Sequence, residues 1–144
     1  MSSRAKFFQV VTFAADPLHG NPAFVLTDAR DASDHALATA CAILRADVVA
    51  VVGEPSGGDT PLRFFTTDGP HPGAGHATLA AAHTVLRDGV VGQDAASRSV
   101  TFHQANGDRR AAHVEGDRIC VDFPTMPASR VDRIADMAAA LGAR

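Results

Sequence analysis

The sequence predicts an α+β fold in which a small, mostly antiparallel β-barrel wraps around a central apolar helix. Three observations point there. Short apolar segments recur along the chain, bounded by Gly, Pro, Asn and Asp. From Ala77 to about Arg87 a helical stretch carries small apolar residues on every face and no charge before its end, the pattern of a helix meant to be surrounded. The 144 residues, 46% hydrophobic and 20% charged, suffice for one core that needs neither disulfide nor metal.

The elements follow in order. Lys6 to Ala14, rich in Phe and Val, reads as a strand and ends at the turn-forming run Asp16 to Pro22. Ala23 to Thr27 is a second strand. Asp31, Ser33 and Asp34 offer N-caps for a helix running to about Leu44, with Leu37, Cys41 and Leu44 on one face. Asp47 to Val52 is a buried strand entered by an acid, Glu54 to Thr60 a turn, and Leu62 to Thr66 another strand. The polar run Asp68 to Pro72 then leads through Gly73-Ala74-Gly75-His76 into the apolar helix, which stops at Arg87-Asp88-Gly89. Ser97–His103, Ala111–Glu115 and Arg118–Phe123 are strands joined by turns holding Asn106-Gly107 and Gly116-Asp117. After Phe123-Pro124 an amphipathic helix runs from Val131 to Leu141 and ends at Gly142. Residues 1–127 are therefore expected to form the barrel domain. The stretch 128–144 reads as a terminal helix that begins a second domain.

Composition excludes several functions. Net charge is −3, no run of like charge occurs, and Trp and Tyr are absent, so neither a basic stripe nor a stacking platform is offered to nucleic acid. No apolar run approaches the roughly 18 residues of a membrane span, and the first residues lack a signal-peptide core. The expectation is a cytoplasmic protein. Cys41 and Cys120 lie in apolar company without metal-ligand spacing and read as two buried small hydrophobes.

The chemistry-bearing residues cluster at the start of the apolar helix. The first N–H groups of a helix lack internal partners, and its dipole attracts anions there. Gly73 and Gly75 would let a carboxylate approach that backbone, or they would merely permit a tight entry turn. His76 stands where an imidazole could pass a proton or bind that carboxylate. His83 lies seven residues on, about 10 Å along the axis, too far to share a metal ion with His76, and reads as a structural group. Asp47 gains basicity if its flanking valines bury it. Asn21, between Gly20 and Pro22, fits a turn better than a ligand. No serine or cysteine stands where covalent catalysis would need it.

Taken together, Phe8-Gln9-Val10-Val11-Thr12-Phe13 followed by Gly20-Asn21-Pro22-Ala23, then Phe64-Phe65-Thr66 leading to Gly75-His76-Ala77-Thr78-Leu79-Ala80, and finally Val121-Asp122-Phe123-Pro124 resemble the PhzF-like family of phenazine biosynthesis, relatives of diaminopimelate epimerase. The resemblance implies two similar domains, each a barrel around a helix, with the active site between them. It implies cofactor-free proton transfer at carbon, with no metal. The family's glutamate, which serves as base and acid, falls on Asp47, one methylene shorter. His76 matches the glycine–histidine motif, and Ala74 stands where the epimerases carry a cysteine.

The resemblance covers the N-terminal half of the family pattern. The implied protein is an isomerase acting on a small carboxylated substrate, with Asp47 and His76 catalytic and Asn21, Gly73, Ala74, Gly75 and Ala77 binding substrate. Its site would be assembled across an isologous homodimer or completed by a separate second-half chain. The alternative is a non-catalytic binding or interaction module, a remnant half that keeps the anion pocket without the chemistry.

Overall fold

The structure, a computed structural model, describes residues 4–16, 18–89, 98–129 and 134–142. Among the described residues, eight strands and three helices form an α+β unit with a mixed sheet: β1 Lys6–Thr12, β2 Asn21–Thr27, α1 Asp34–Leu44, β3 Val49–Val52, β4 Thr60–Thr66, β5 Gly69–His71, α2 Gly75–Leu86, β6 Ser99–Gln104, β7 Arg109–Glu115, β8 Arg118–Val121 and α3 Ile134–Ala140. The strand order is β1-β2-β3-β4-β6-β7-β8, with β5 paired to β4. Two pairings, β2 with β3 and β4 with β6, are parallel and the rest antiparallel.

Strand alternation sorts the core into two layers. Ala23 and Val25 of β2, Ala50 and Val52 of β3, and Leu62 and Phe64 of β4 face inward onto Ala77, Ala80, Ala81 and Val85 of α2. Leu26, Val49, Val51 and Phe65 face outward onto Leu37 and Cys41 of α1. Burial on both faces explains why β3 reads as a continuous apolar run. The Ser33 cap expected for α1 is present, its Oγ accepting from the Ala36 N–H at 3.2 Å. No residue of α3 is buried. Residues 130–133, where the expected helix would start, lie outside the described residues, as does residue 97 of the expected strand 97–103.

Several expectations need correction. The sheet is a half-barrel: β1 and β8 end the strand order, and among the described residues no ladder joins them. Between them runs a groove of about 800 Å³, lined by Val11, Phe13, Leu79, His83, Arg87 and Arg118 among others. Among the described residues, the apolar helix is therefore not covered on every face. It packs against β1–β3 and β6–β8, while Leu79 is half-buried and His83 exposed.

Among the described residues, no helix is long and apolar enough to cross a membrane. The polar run Asp68 to Pro72 contains a strand, β5, because its Gly69, Pro70 and His71 pair with Thr66, Phe65 and Phe64 of β4. Proline is tolerated at such an edge. Strand β1 stops at Thr12 because Phe13 takes a left-handed φ of 57°, two residues before the expected end. Strand β3 starts at Val49, which leaves Asp47 outside it.

Candidate functional site at the start of helix α2

Strand directions gather the predicted residues at one end of the sheet. β2 and β3 are parallel, so Asn21 and the approach to β3 at Asp47 lie at the same end. β4 runs against β3, and β6 runs with β4, so both finish there. Two antiparallel steps from β6 make β8 finish there as well. Helix α2 begins among these ends. A Cβ on Gly73 would lie 3.4 Å from Gln104 Oε1 at the end of β6, and one on Gly75 would lie 3.5 Å from Phe123 Cζ just beyond β8.

The glycines at this helix start are not demanded by backbone conformation. Neither Gly73 nor Gly75 adopts a left-handed φ, unlike Gly69, Gly89 and Gly107. The tight-turn use left open by the sequence therefore loses its main reason, since an L-residue fits the same dihedral angles. Ala74 is the N-cap and makes no side-chain cap hydrogen bond, so the first N–H groups of α2 get no help from the position that usually provides it. Gly73 and Ala74 are half-buried, Gly75 exposed, His76 half-buried and Ala77 buried.

Asp47 is delivered by the end of α1. Arg45 takes a left-handed φ of 51°, and the Ala46 N–H reaches back to the Cys41 carbonyl at 3.0 Å, a six-to-one closure that turns the chain sharply out of the helix. Two residues later the buried Val48 and Val49 anchor the strand, while Asp47 itself is exposed. The burial by flanking valines that would strengthen it as a base is not met, because these valines point into the two core layers. Among the described residues, no hydrogen bond or ion pair joins Asp47 to His76.

Asn21 is not a turn residue. It opens β2 opposite Thr12, whose hydroxyl donates to the Asn21 carbonyl at 3.0 Å, and its side chain is exposed. His83 is exposed, with Nδ1 3.8 Å from Asp88 Oδ2. Cys41 behaves as expected: it is fully buried, its thiol donates to the Phe65 carbonyl at 3.2 Å, and burial pushes its pKa up. Cys120 is only half-buried and lies beside Glu115, so the reading of two buried hydrophobes holds for one cysteine.

Three residues that sequence reasoning missed complete this end. Gln104 is a buried polar side chain next to Gly73. Phe123, half exposed, carries the Arg110 guanidinium 5.7 Å above its ring. Arg110 is held by Asp108 at 2.9 Å, and its Nε is buried without a hydrogen-bond partner. Only strand register, a long-range property, carries Arg110 beside the end of β8. The assembly offers oriented N–H groups, a positive guanidinium and a carboxylate at one end of the sheet, which suits an anionic molecule that also exchanges a proton.

Residues 10–143 match the family of phenazine biosynthesis-like proteins, PhzC-PhzF. An uncharacterized isomerase of Pseudomonas aeruginosa is 36% identical over 118 residues, covering 81% of this chain and 43% of the relative. A second uncharacterized isomerase of that organism is 32% identical over 138 residues, covering 95% and 50% respectively. The chain thus spans about half the length of the curated relatives it matches. A crystal structure of a phenazine biosynthesis protein of the PhzF family from Enterococcus faecalis superposes with a TM-score of 0.82 at 25% identity, covering 98% of this chain and 52% of that one. One from Bacillus anthracis, with a TM-score of 0.67 at 19% identity over 80% and 37% of the two chains, shares the fold.

Proposed function

Because the chain belongs to the phenazine biosynthesis-like protein family, we propose that it serves an isomerase that moves a proton between carbons of a small carboxylated substrate without a cofactor. The observation that carries this reading is the uncapped start of α2, opened by two glycines whose backbone angles do not require glycine. The substrate carboxylate binds the N–H groups that follow Gly73 and Ala74, with Gly75 and Ala77 forming the first turn around it and Asn21 on the flank. The positive end of the helix offsets negative charge that develops when a carbon–hydrogen bond next to an unsaturated system is broken.

Asp47 takes that proton and returns it at another carbon, and His76 assists as donor or acceptor. An exposed carboxylate is a weak base for carbon acids, so the working site is covered by further protein, supplied by a second copy or by a complementary half. Such a cover excludes water from the proton-transfer step. A cytoplasmic location belongs to the same proposal.

The test is deuterium exchange from solvent into small cyclic carboxylates, with and without Asp47→Asn. Exchange that depends on Asp47 supports the reading; exchange unchanged in the variant refutes the assignment. A second reading, a binding module without turnover, is favoured by the exposure of Asp47 and its lack of a bonded partner in His76. It expects carboxylate binding by calorimetry that survives Asp47→Ala but not a bulky substitution at Gly75.

A further inference from the structure

Three chemically different metal donors converge on the outer face of the β7–β8 hairpin. His113 and Glu115 are two residues apart on β7 and so share a face. Cys120 pairs with His113 across the ladder and brings its thiol to the same side. The opposite face holds Ala112, Ile119 and Val121, packed into the core with α2, which turns the donors outward. Their ligand atoms all lie within 4.8 Å of one another, and Cys120 Sγ is 3.5 Å from Glu115 Oε2. Glu115 is exposed, while His113 and Cys120 are half-buried.

We propose that His113, Glu115 and Cys120 bind a divalent cation of the zinc class, with a fourth position open to solvent. The donor set decides the class: imidazole and thiolate suit zinc and its borderline neighbours, whereas magnesium and calcium take oxygen ligands. Bonds of about 2.0 Å to nitrogen and oxygen and about 2.3 Å to sulfur place these tetrahedral donors roughly 3.3–3.5 Å apart. The sulfur–carboxylate separation is already in that range, so closing the site takes about 1 Å of side-chain rotation.

The binding step exchanges one cation for one proton. The Cys120 S–H bond breaks, its proton leaves to solvent, and a sulfur–metal bond forms. Burial first and the Glu115 carboxylate second hold this thiol above its ordinary pKa. The repulsion between carboxylate and thiolate is what a cation relieves. Arg118, opposite Glu115 in the register, is the charge the ion competes with. The hairpin turn lies at the end of the sheet away from the start of α2, so this site stands or falls independently of the isomerase reading.

The experiment is titration of the purified chain with cobalt(II), followed by absorption, and with zinc, followed by calorimetry. One equivalent is expected to saturate a thiolate-to-cobalt charge-transfer band. Cys120→Ser should abolish the band, and His113→Gln should weaken zinc affinity by at least roughly tenfold. Far-UV circular dichroism checks that both variants fold. In the unmutated chain zinc should also protect Cys120 from alkylation, a readout that needs no variant. No saturable band, a band kept in Cys120→Ser, unchanged affinity in His113→Gln, or alkylation of Cys120 indifferent to zinc would each overturn the proposal.

Discussion

Replacing Gly75 with alanine separates the two uses a glycine can have at the start of α2. Its φ is not left-handed, and an added Cβ meets nothing closer than Phe123 Cζ at 3.5 Å, an ordinary contact. Alanine is favoured over glycine inside a helix by about 0.5–1 kcal/mol, and the lower figure suits a first-turn position. A chain of 144 residues unfolds with an entropy of about 0.3 kcal/mol/K. Tm should therefore rise by about 2 °C. The same methyl narrows the approach to the first N–H groups, so the affinity for small cyclic carboxylates should fall by roughly tenfold, about 1.4 kcal/mol. Calorimetric unfolding and titration calorimetry on one preparation measure both. A lower Tm would mean that the entry turn needs the glycine. An unchanged affinity would mean that no carboxylate sits there, and either result defeats the reasoning.

Three further predictions rest on single features. Thr27 is fully buried, and its hydroxyl has no hydrogen-bond partner among the described residues; Thr27→Val should stabilise by about 1 kcal/mol. Thr84→Val should bring no such gain, because that hydroxyl donates to the Ala80 carbonyl at 3.0 Å; equal shifts in Tm for the two variants would contradict the argument. Arg45 holds a left-handed φ of 51° at the end of α1, so Arg45→Gly should raise the urea midpoint by an amount equivalent to about 0.5–1 kcal/mol, and a lower midpoint would argue against strain there. The Arg109 guanidinium bonded to Asp59 holds that carboxyl below its ordinary pKa. Its folded pKa lies below the unfolded value, so the stabilisation is present above about pH 4 and is lost as pH falls through the folded pKa. The stability gap between the unmutated chain and Asp59→Asn should accordingly be widest near neutral pH and close in acid, and a gap independent of pH would refute the linkage.

Much of the fold was legible because its signals are local. Ser33 caps α1 through its own hydroxyl, Gly107 and Gly116 take the left-handed angles that their turns need, and the small apolar residues of α2 announce burial. Such signals depend on a few neighbouring dihedral angles and side chains. The types of most elements, the glycine-opened helix start and, through motifs in order, the family were thus readable from the residues alone.

Which of those residues meet followed from how the strands pair. Strand register, a long-range property, left the sheet open between β1 and β8, recruited the polar run at Gly69 to β4, and carried Gln104 and Phe123 to the two glycines. It also set Cys120 beside His113 on an outer face, where a shift of one residue would have turned it into the core. Asp47 shows the same limit: its valine neighbours are buried, yet the chain reverses so close to it that its own side chain faces water. Burial of a neighbour in sequence says little about the residue itself, because Asp47 precedes the strand whose two faces are both covered.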